Sequence, residues 1–379
     1  MLKLLQFTPP WKIRREFKRL WQQLIGVVQP IWEKRDLRLH DHWFDNQVNV
    51  HQGHQQKNSF IAILVLYQPG GVPKSIFNLC KHLSKRGYSV LVVSSCPIVD
   101  SDHEKLLKLV WKVFERPNFG YDFGSYRDGI KLLWRLDITP TRLVLINDSV
   151  FYPLMAGDQT LEALGELECD IGGIVMRMRG NRQFLEGYFY SISQRAFLSK
   201  EFTYFWKNYR VSSNKRTVIR LGERGFSKAM LAAGLTVRSL YQRASFVEKI
   251  NSLSEDELAK VLKHHATVYS SLEEKRSRII RSRMQKNWRN LVKGYIYEVL
   301  MRGEFYILFP LTAAELMGFP VLKKSVDPAY ILSRKLLIAA TKDGELDRLD
   351  TVVRSELFKL TCTDKIFSKS KSSGEVTFQ

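Results

Sequence analysis

Paired cysteines are missing from this sequence. Its four cysteines (Cys80, Cys96, Cys169 and Cys362) are scattered through 379 residues with no C-x-x-C spacing. That excludes a disulfide framework or a cysteine-built zinc site as the organising device, and fits a reducing compartment. Long apolar runs are missing as well. No stretch approaches the roughly 18 to 20 residues needed to span a bilayer. Charges break up the N-terminal apolar positions every few residues, so no signal peptide is evident, and a cytoplasmic protein is expected. A phosphate-binding loop of the G-x-x-x-x-G-K-[ST] kind is absent too, because Gly70-Gly71-Val72-Pro73-Lys74-Ser75 has the wrong spacing. Finally, acidic residues are in deficit: 38 Asp and Glu stand against 59 Lys and Arg, a formal net charge of +21. A balance of that sign favours polyanionic partners: nucleic acid, an anionic membrane face or phosphorylated substrates.

What is present suffices for a core, with 45% hydrophobic residues. Residues 8–28 read as a basic amphipathic helix. Thr8 and Pro9 suit its start, Ile13, Phe17, Leu20, Trp21, Leu24 and Val28 share one face, and Lys12, Arg14, Arg15, Lys18 and Arg19 fill the rest. Such a helix suits either an anionic membrane surface or packing on its own domain; the membrane is favoured because it lies outside the pattern that follows. The expected organisation is an anchor helix over 1–39, a polar linker over 40–58, an α/β core over 59–250, a helical region over 251–360 and a disordered tail over 361–379.

Within the core, apolar strands alternate with helices. Strands are expected at Phe60 to Tyr67, Tyr88 to Ser95, Val110 to Phe114, Leu143 to Ile146, Asp170 to Met176 and Leu235 to Tyr241, with a polar loop from Arg177 to Gln183. Intervening helices include Lys74 to Arg86, Thr160 to Leu167, Phe197 to Tyr209 and Phe226 to Ala233. That alternation predicts βαβ units and a mostly parallel sheet flanked by helices. Beyond it, Ser254 to Leu262 and Ser271 to Met301 read as helices, the second densely basic from Lys275 to Lys293. Its aromatics (Trp288, Tyr295, Tyr297) raise a nucleic-acid-binding alternative. No zinc finger, helix-turn-helix or RNP-like block accompanies them, and Ile279, Ile280, Met284, Trp288 and Leu291 form an apolar stripe. Nucleic acid is therefore not expected as a partner.

Two stretches concentrate chemistry. Asn118, Gly120, Tyr121, Asp122, Gly124, Arg127 and Asp128 crowd the start of a helix, where glycines allow close backbone approach and free N–H groups favour an anion. The apolar strand ending at Ile146 runs directly into Asn147-Asp148-Ser149. In open α/β sheets ligands sit beyond the carboxyl ends of the strands.

These stretches resemble the rhamnan synthesis protein F family and, more broadly, GT-A glycosyltransferases. Arg116-Pro117-Asn118-x-Gly120-Tyr121-Asp122-Phe123-Gly124-Ser125-Tyr126 is similar to the family's N-x-G-y-D-f-g-s-y signature, and Asn147-Asp148-Ser149-Val150 followed by Pro153-Leu154 to its N-D-S-v-x-x-P-l element. Blocks at Tyr188 to Phe197, Phe202 to Trp206, Gly222-Glu223-x-Gly225-Phe226-Ser227 and Gly318 to Lys323 follow in order. The resemblance implies a GT-A-like fold and transfer of a sugar, a deoxysugar such as rhamnose among the candidates, from a nucleotide-sugar to a saccharide or lipid-diphosphate-linked acceptor. It implies an inverting enzyme of bacterial surface polysaccharide synthesis, and the basic helix with the net charge suggests a place on the inner membrane face. Glu223 takes the place of the Asp in the E-D motif and so is the general-base candidate, although Arg224 beside it is expected to lower its pKa. Asp148 stands where related enzymes carry an acidic pair holding Mg²⁺ or Mn²⁺ on the diphosphate; here one acid is flanked by Asn147 and Ser149. Asn118, Gly120, Tyr121, Asp122 and Arg127 are expected on the nucleotide side, with Arg127 paired to phosphate and Asp122 or Asp128 accepting from ribose or base. Lys323 and Lys324 either reach the diphosphate or face solvent. The missing second acid leaves a scaffolding, non-catalytic transferase as an alternative.

Overall fold

The computed structural model describes residues 32–360 except Asn181 and Ala266; the expected helix over 8–28 and the tail over 361–379 lie outside the described residues. The strands are β1 (Val50–Gln52), β2 (Phe60–Leu66), β3 (Tyr88–Ser94), β4 (Lys112–Glu115), β5 (Arg142–Asn147), β6 (Val150–Phe151), β7 (Ile171–Arg179), β8 (Arg182–Leu185), β9 (Phe189–Ser193), β10 (Val237–Tyr241) and β11 (Leu322–Lys323). Among the described residues, nine of them form one sheet in the order β1-β4-β3-β2-β5-β9-β7-β10, with β8 paired to β7. Strands β4, β3, β2 and β5 make a continuous parallel block. Strand β9 runs antiparallel to both β5 and β7, and β10 is parallel to β7, so the sheet is mixed beyond β5.

The period-two rule places alternate residues of each strand on opposite faces. In β2, Ala62, Leu64 and Leu66 enter one core, which holds the helix Lys74–Lys85 and the C-terminal helix Trp288–Leu300 through Trp288, Tyr295 and Ile296. Ile61, Ile63 and Val65 enter the other. There they meet the helix Tyr121–Arg135 (Phe123, Tyr126, Ile130), the helix Lys200–Asn208 (Phe202, Trp206) and the helix Arg224–Ala232 (Phe226, Met230). Fully burying an aromatic or branched side chain contributes about 1.5 to 3 kcal/mol. This double covering explains why β2, β3 and β5 read as unbroken apolar runs.

Several expectations change. The segment read as a linker over 40–58 is structural: a helix spans 32–47, and β1 pairs antiparallel with β4. Phe44 is buried in the second core, and His40 Nε2 lies 2.6 Å from Asp128 Oδ2. The polar loop from Arg177 to Gln183 is a hairpin joining β7 to β8, turned at Gly180 with its φ of 58°. The long basic helix from Ser271 to Met301 is two helices, Ser270–Arg281 and Trp288–Leu300. Trp288 Nε1 donates to the carbonyl of Ile279 at 2.8 Å, folding one onto the other. The expected stripe is thereby split, with Ile279 and Trp288 buried while Ile280, Met284 and Leu291 are exposed. The C-terminal region folds back so that β11 pairs antiparallel with β6 in a separate two-stranded sheet. Among the described residues no helix is long and apolar enough to cross a membrane.

Candidate active site

Strand β5 ends at Asn147, as its apolar run predicts, and the turn beyond it opens on a cavity of about 810 Å³. Four parts of the chain build its walls. The start of the helix Tyr121–Arg135 contributes Tyr121, Asp122 and Phe123, and the end of β5 contributes Asn147 and Ser149. The turn 219–223 contributes Glu223, and β11 with the loop after it contributes Lys323, Lys324 and Asp327. Tyr188, Arg177 and Lys215 complete the basic and aromatic lining.

Local sequence explains each placement. Gly120 precedes the first helix at φ 85°, a left-handed conformation that glycine adopts without steric cost. A Cβ there would sit 2.0 Å from Val211 Cγ1, so close packing also demands glycine. Tyr121 follows at φ 52°, unusual for a residue with a side chain, and stands exposed at the cavity. Gly222 does comparable work for Glu223. A Cβ there would lie 2.6 Å from Phe123 Cγ, so the missing side chain lets the Phe123 ring press against the turn. Phe123 itself stacks on Trp206 at 5.8 Å between ring centroids. That turn, Ile219–Glu223, is a single wide π turn, a local irregularity frequent at functional sites.

Two acids of the cavity, Glu223 and Asp122, are raised, and basic residues are close by. Glu223 Oε1 accepts from the Gly187 amide at 3.1 Å. Burial and the charge of Glu186 push its carboxyl up to about 7, against the opposing pull of Lys323 and Arg177. The net shift is upward despite the neighbouring Arg224, whose guanidinium packs 5.3 Å above the Phe184 ring. Asp122 also rises to about 7, through burial and then the charge of Asp148, while its Oδ2 accepts from Asn147 Nδ2 at 2.7 Å. Ser149 Oγ donates to Asn147 Oδ1 at 2.5 Å, closing an Asp122–Asn147–Ser149 chain. Lys323 lies 5.0 Å over the Tyr188 ring with its ammonium 3.2 Å from Glu186 Oε2. It therefore faces the cavity and not bulk solvent.

Glu186 was not singled out from the sequence. It is buried, accepts from Tyr306 at 2.7 Å and stands 3.4 Å from Arg177 Nη1. An isolated Glu in a polar-aromatic segment carries no motif; only the hairpin brings it beside Lys323.

Other expected residues lie elsewhere. Asn118 is exposed, outside the cavity lining. Asp148 is set back behind that lining, where its Oδ2 accepts from the Tyr67 amide at 2.7 Å and from Gln68 Nε2 at 2.6 Å; burial raises its carboxyl. Arg127 does not face a phosphate. It is buried and grips Asp41 through two hydrogen bonds of 2.7 and 3.0 Å, with a third to the carbonyl of Trp206. Asp128 faces no ribose: Arg116 Nε holds it at 2.6 Å, and Arg116, His40 and Arg127 bring its carboxyl down to about 2. Both were misplaced because their partners, His40 and Asp41, lay in the presumed linker.

Among the described residues no group of three His, Cys, Asp or Glu is arranged to hold a metal ion. Asp122 lines the cavity, while Asp148, whose charge raises Asp122, lies behind it with Oδ2 accepting from Tyr67 and Gln68; Asp122 is therefore the acid placed to meet a hard cation carried on a bound diphosphate.

With this geometry in place, comparison supplies the family. The chain belongs to the rhamnan synthesis protein F family, whose model matches residues 90–358. An uncharacterized protein of Sinorhizobium fredii, y4gN, is similar at 25% identity over 351 residues, covering 91% of each chain. Among solved structures, mannosyltransferase PcManGT of Pyrobaculum calidifontis, in complex with GDP-Man and Mn²⁺, aligns over 93% of this chain and 92% of its own, at 11% identity and a TM-score of 0.30. Core-mannan synthase A of Aspergillus fumigatus, in its Mn/GDP form, aligns over 50% and 74%, at 7% identity and a TM-score of 0.30. Likenesses at that TM-score assign no roles to residues.

Proposed function

We propose that the chain is an inverting glycosyltransferase that uses a nucleotide-sugar, with Glu223 as general base. One observation carries the reading: a carboxylate raised to about 7 shares a cavity with Lys323, Lys324, Lys215 and Arg177. A base poised near neutral pH suits removal of a proton from a hydroxyl, and clustered cations suit a departing diphosphate. In the step, the acceptor hydroxyl gives its proton to Glu223 as its oxygen bonds the anomeric carbon. The bond from that carbon to the diphosphate oxygen breaks, and the nucleoside diphosphate leaves with the electron pair, its charge met by the lysines. Asp122, with the charge of Asp148 behind it, is the residue that would hold Mg²⁺ or Mn²⁺, which when bound would neutralise the diphosphate further.

The family's name makes rhamnose or another deoxysugar the first donor to try, with a saccharide or lipid-diphosphate-linked acceptor. The proposed place on the inner face of the cell membrane is supported by the net charge of +21 and the basic residues among 8–28, both suited to anionic lipid. A thermal-shift screen against UDP-, GDP- and dTDP-sugars, with and without Mg²⁺ or Mn²⁺, tests the donor site. A donor that binds only the folded chain raises the midpoint by mass action; no shift with any of them contradicts the proposal.

A further inference from the structure

A second concavity, of about 700 Å³, lies on the other side of the turn that presents Glu223. Its floor is apolar: Tyr204 and Phe205 from the helix Lys200–Asn208, Leu221 from the turn, and Ala229, Ala232 and Ala233 at helical spacing from the helix Arg224–Ala232 and its end. Tyr204 is 71% exposed, a large aromatic left at the surface. The three alanines remove side-chain bulk along one ridge, so a helix laid against them approaches closely.

The groove's rim is also where the chain enters the described fold. Arg210 lines the groove and binds Glu33 Oε2 through Nε and Nη2 at 3.0 and 2.7 Å, and Ser212 Oγ donates to Glu33 Oε1. Glu33, one residue beyond the first described residue, is thus held at this rim. The apolar set Ile13, Phe17, Leu20, Trp21, Leu24 and Val28 falls on one side of residues 8–28 at helical spacing. Val28 is five residues from Glu33, a span of about 17 Å even when fully extended. So the stripe cannot end far from the groove, and a tether this short holds it at an effective concentration of roughly millimolar.

We infer that the apolar stripe of residues 8–28 docks in the groove formed by Tyr204, Phe205, Leu221 and the Ala229–Ala232–Ala233 ridge of the same chain. The basic side, with Lys12, Arg14, Arg15, Lys18 and Arg19, is then turned outward, and the docked segment braces the turn whose inner side carries Glu223. The inference is independent of the sugar-transfer proposal.

The test uses the full chain with Tyr204→Cys labelled by benzophenone maleimide, in a background of Cys169→Ser and Cys362→Ser, irradiated without lipid and with phosphatidylglycerol vesicles. The expected product has the mass of one chain and joins position 204 to a peptide within residues 13–28, in both conditions. Leu20→Glu with Leu24→Glu lowers its yield at least fivefold while the far-ultraviolet circular dichroism stays that of the parent. A product joining two chains assigns the groove to a second copy and overturns the inference. So does capture of lipid alone, capture of other parts of the chain, or no adduct at all.

Discussion

Glu223 receives its hydrogen bond from the amide of Gly187, the residue directly after Glu186, whose carboxylate helps push Glu223 up to about 7. The β8–β9 connection thus holds Glu223 in place with one residue and raises its basicity with the next. Glu186→Gln removes a negative charge nearby and so favours ionised Glu223. The acid limb of the kcat/KM profile is expected to move to lower pH. An unmoved limb would show that Glu186 does not set that basicity.

Stability should carry the same signature. Glu223 and Asp122 both titrate near 7 in the fold, above their ordinary values of 4.5 and 3.8. Between those ordinary values and about 7 the folded state binds more protons than the unfolded one, so their contribution declines as pH rises. Asp128, held down to about 2 against an ordinary 3.8, adds little slope above about pH 5. Thermal midpoints measured from pH 5 to 8 should therefore fall less steeply in Glu223→Gln than in the parent chain.

Arg127→Met tests the reassignment of that residue. Removing one partner of a largely buried ion pair costs about 3 to 5 kcal/mol; Asp41 is 30% exposed, so about 1 to 3 kcal/mol is expected here. Urea denaturation should show the loss, while the donor's dissociation constant changes less than about twofold. A large loss of donor affinity in a protein of unchanged stability would return Arg127 to the phosphate site.

Asp122→Asn tests cation use. In the parent chain, Mn²⁺ is expected to enlarge the thermal shift produced by a nucleoside diphosphate, because the phosphate oxygens would complete the ligands of the metal. Asp122→Asn should retain a shift with the diphosphate alone and lose the metal's increment.

The strand block β2, β3 and β5 was legible because burial on both faces leaves an unbroken apolar record in the sequence. Asn147 and Ser149 followed from it, since they occupy the end of such a strand. Glu223, which lines the cavity, was singled out through the resemblance to the E-D motif. Strand β9 was harder: Phe189 to Ser193 mixes aromatics with serines and needs partners on both sides to be recognised. The helix over 32–47 was hidden by its polarity, because His40 and Asp41 look like surface residues until Asp128 and Arg127 meet them. Charge identity alone does not tell an inward pair from a ligand contact. That is why Arg127 and Asp128 were assigned to the substrate and Glu186 went unnoticed.

The most direct test of the account separates binding from transfer in Glu223→Gln. The account predicts a donor-induced thermal shift equal to that of the parent chain, with kcat reduced about 10²- to 10⁴-fold, the usual contribution of a general base, and no acid limb near pH 7. Transfer at the parent rate with the same pH profile would contradict it.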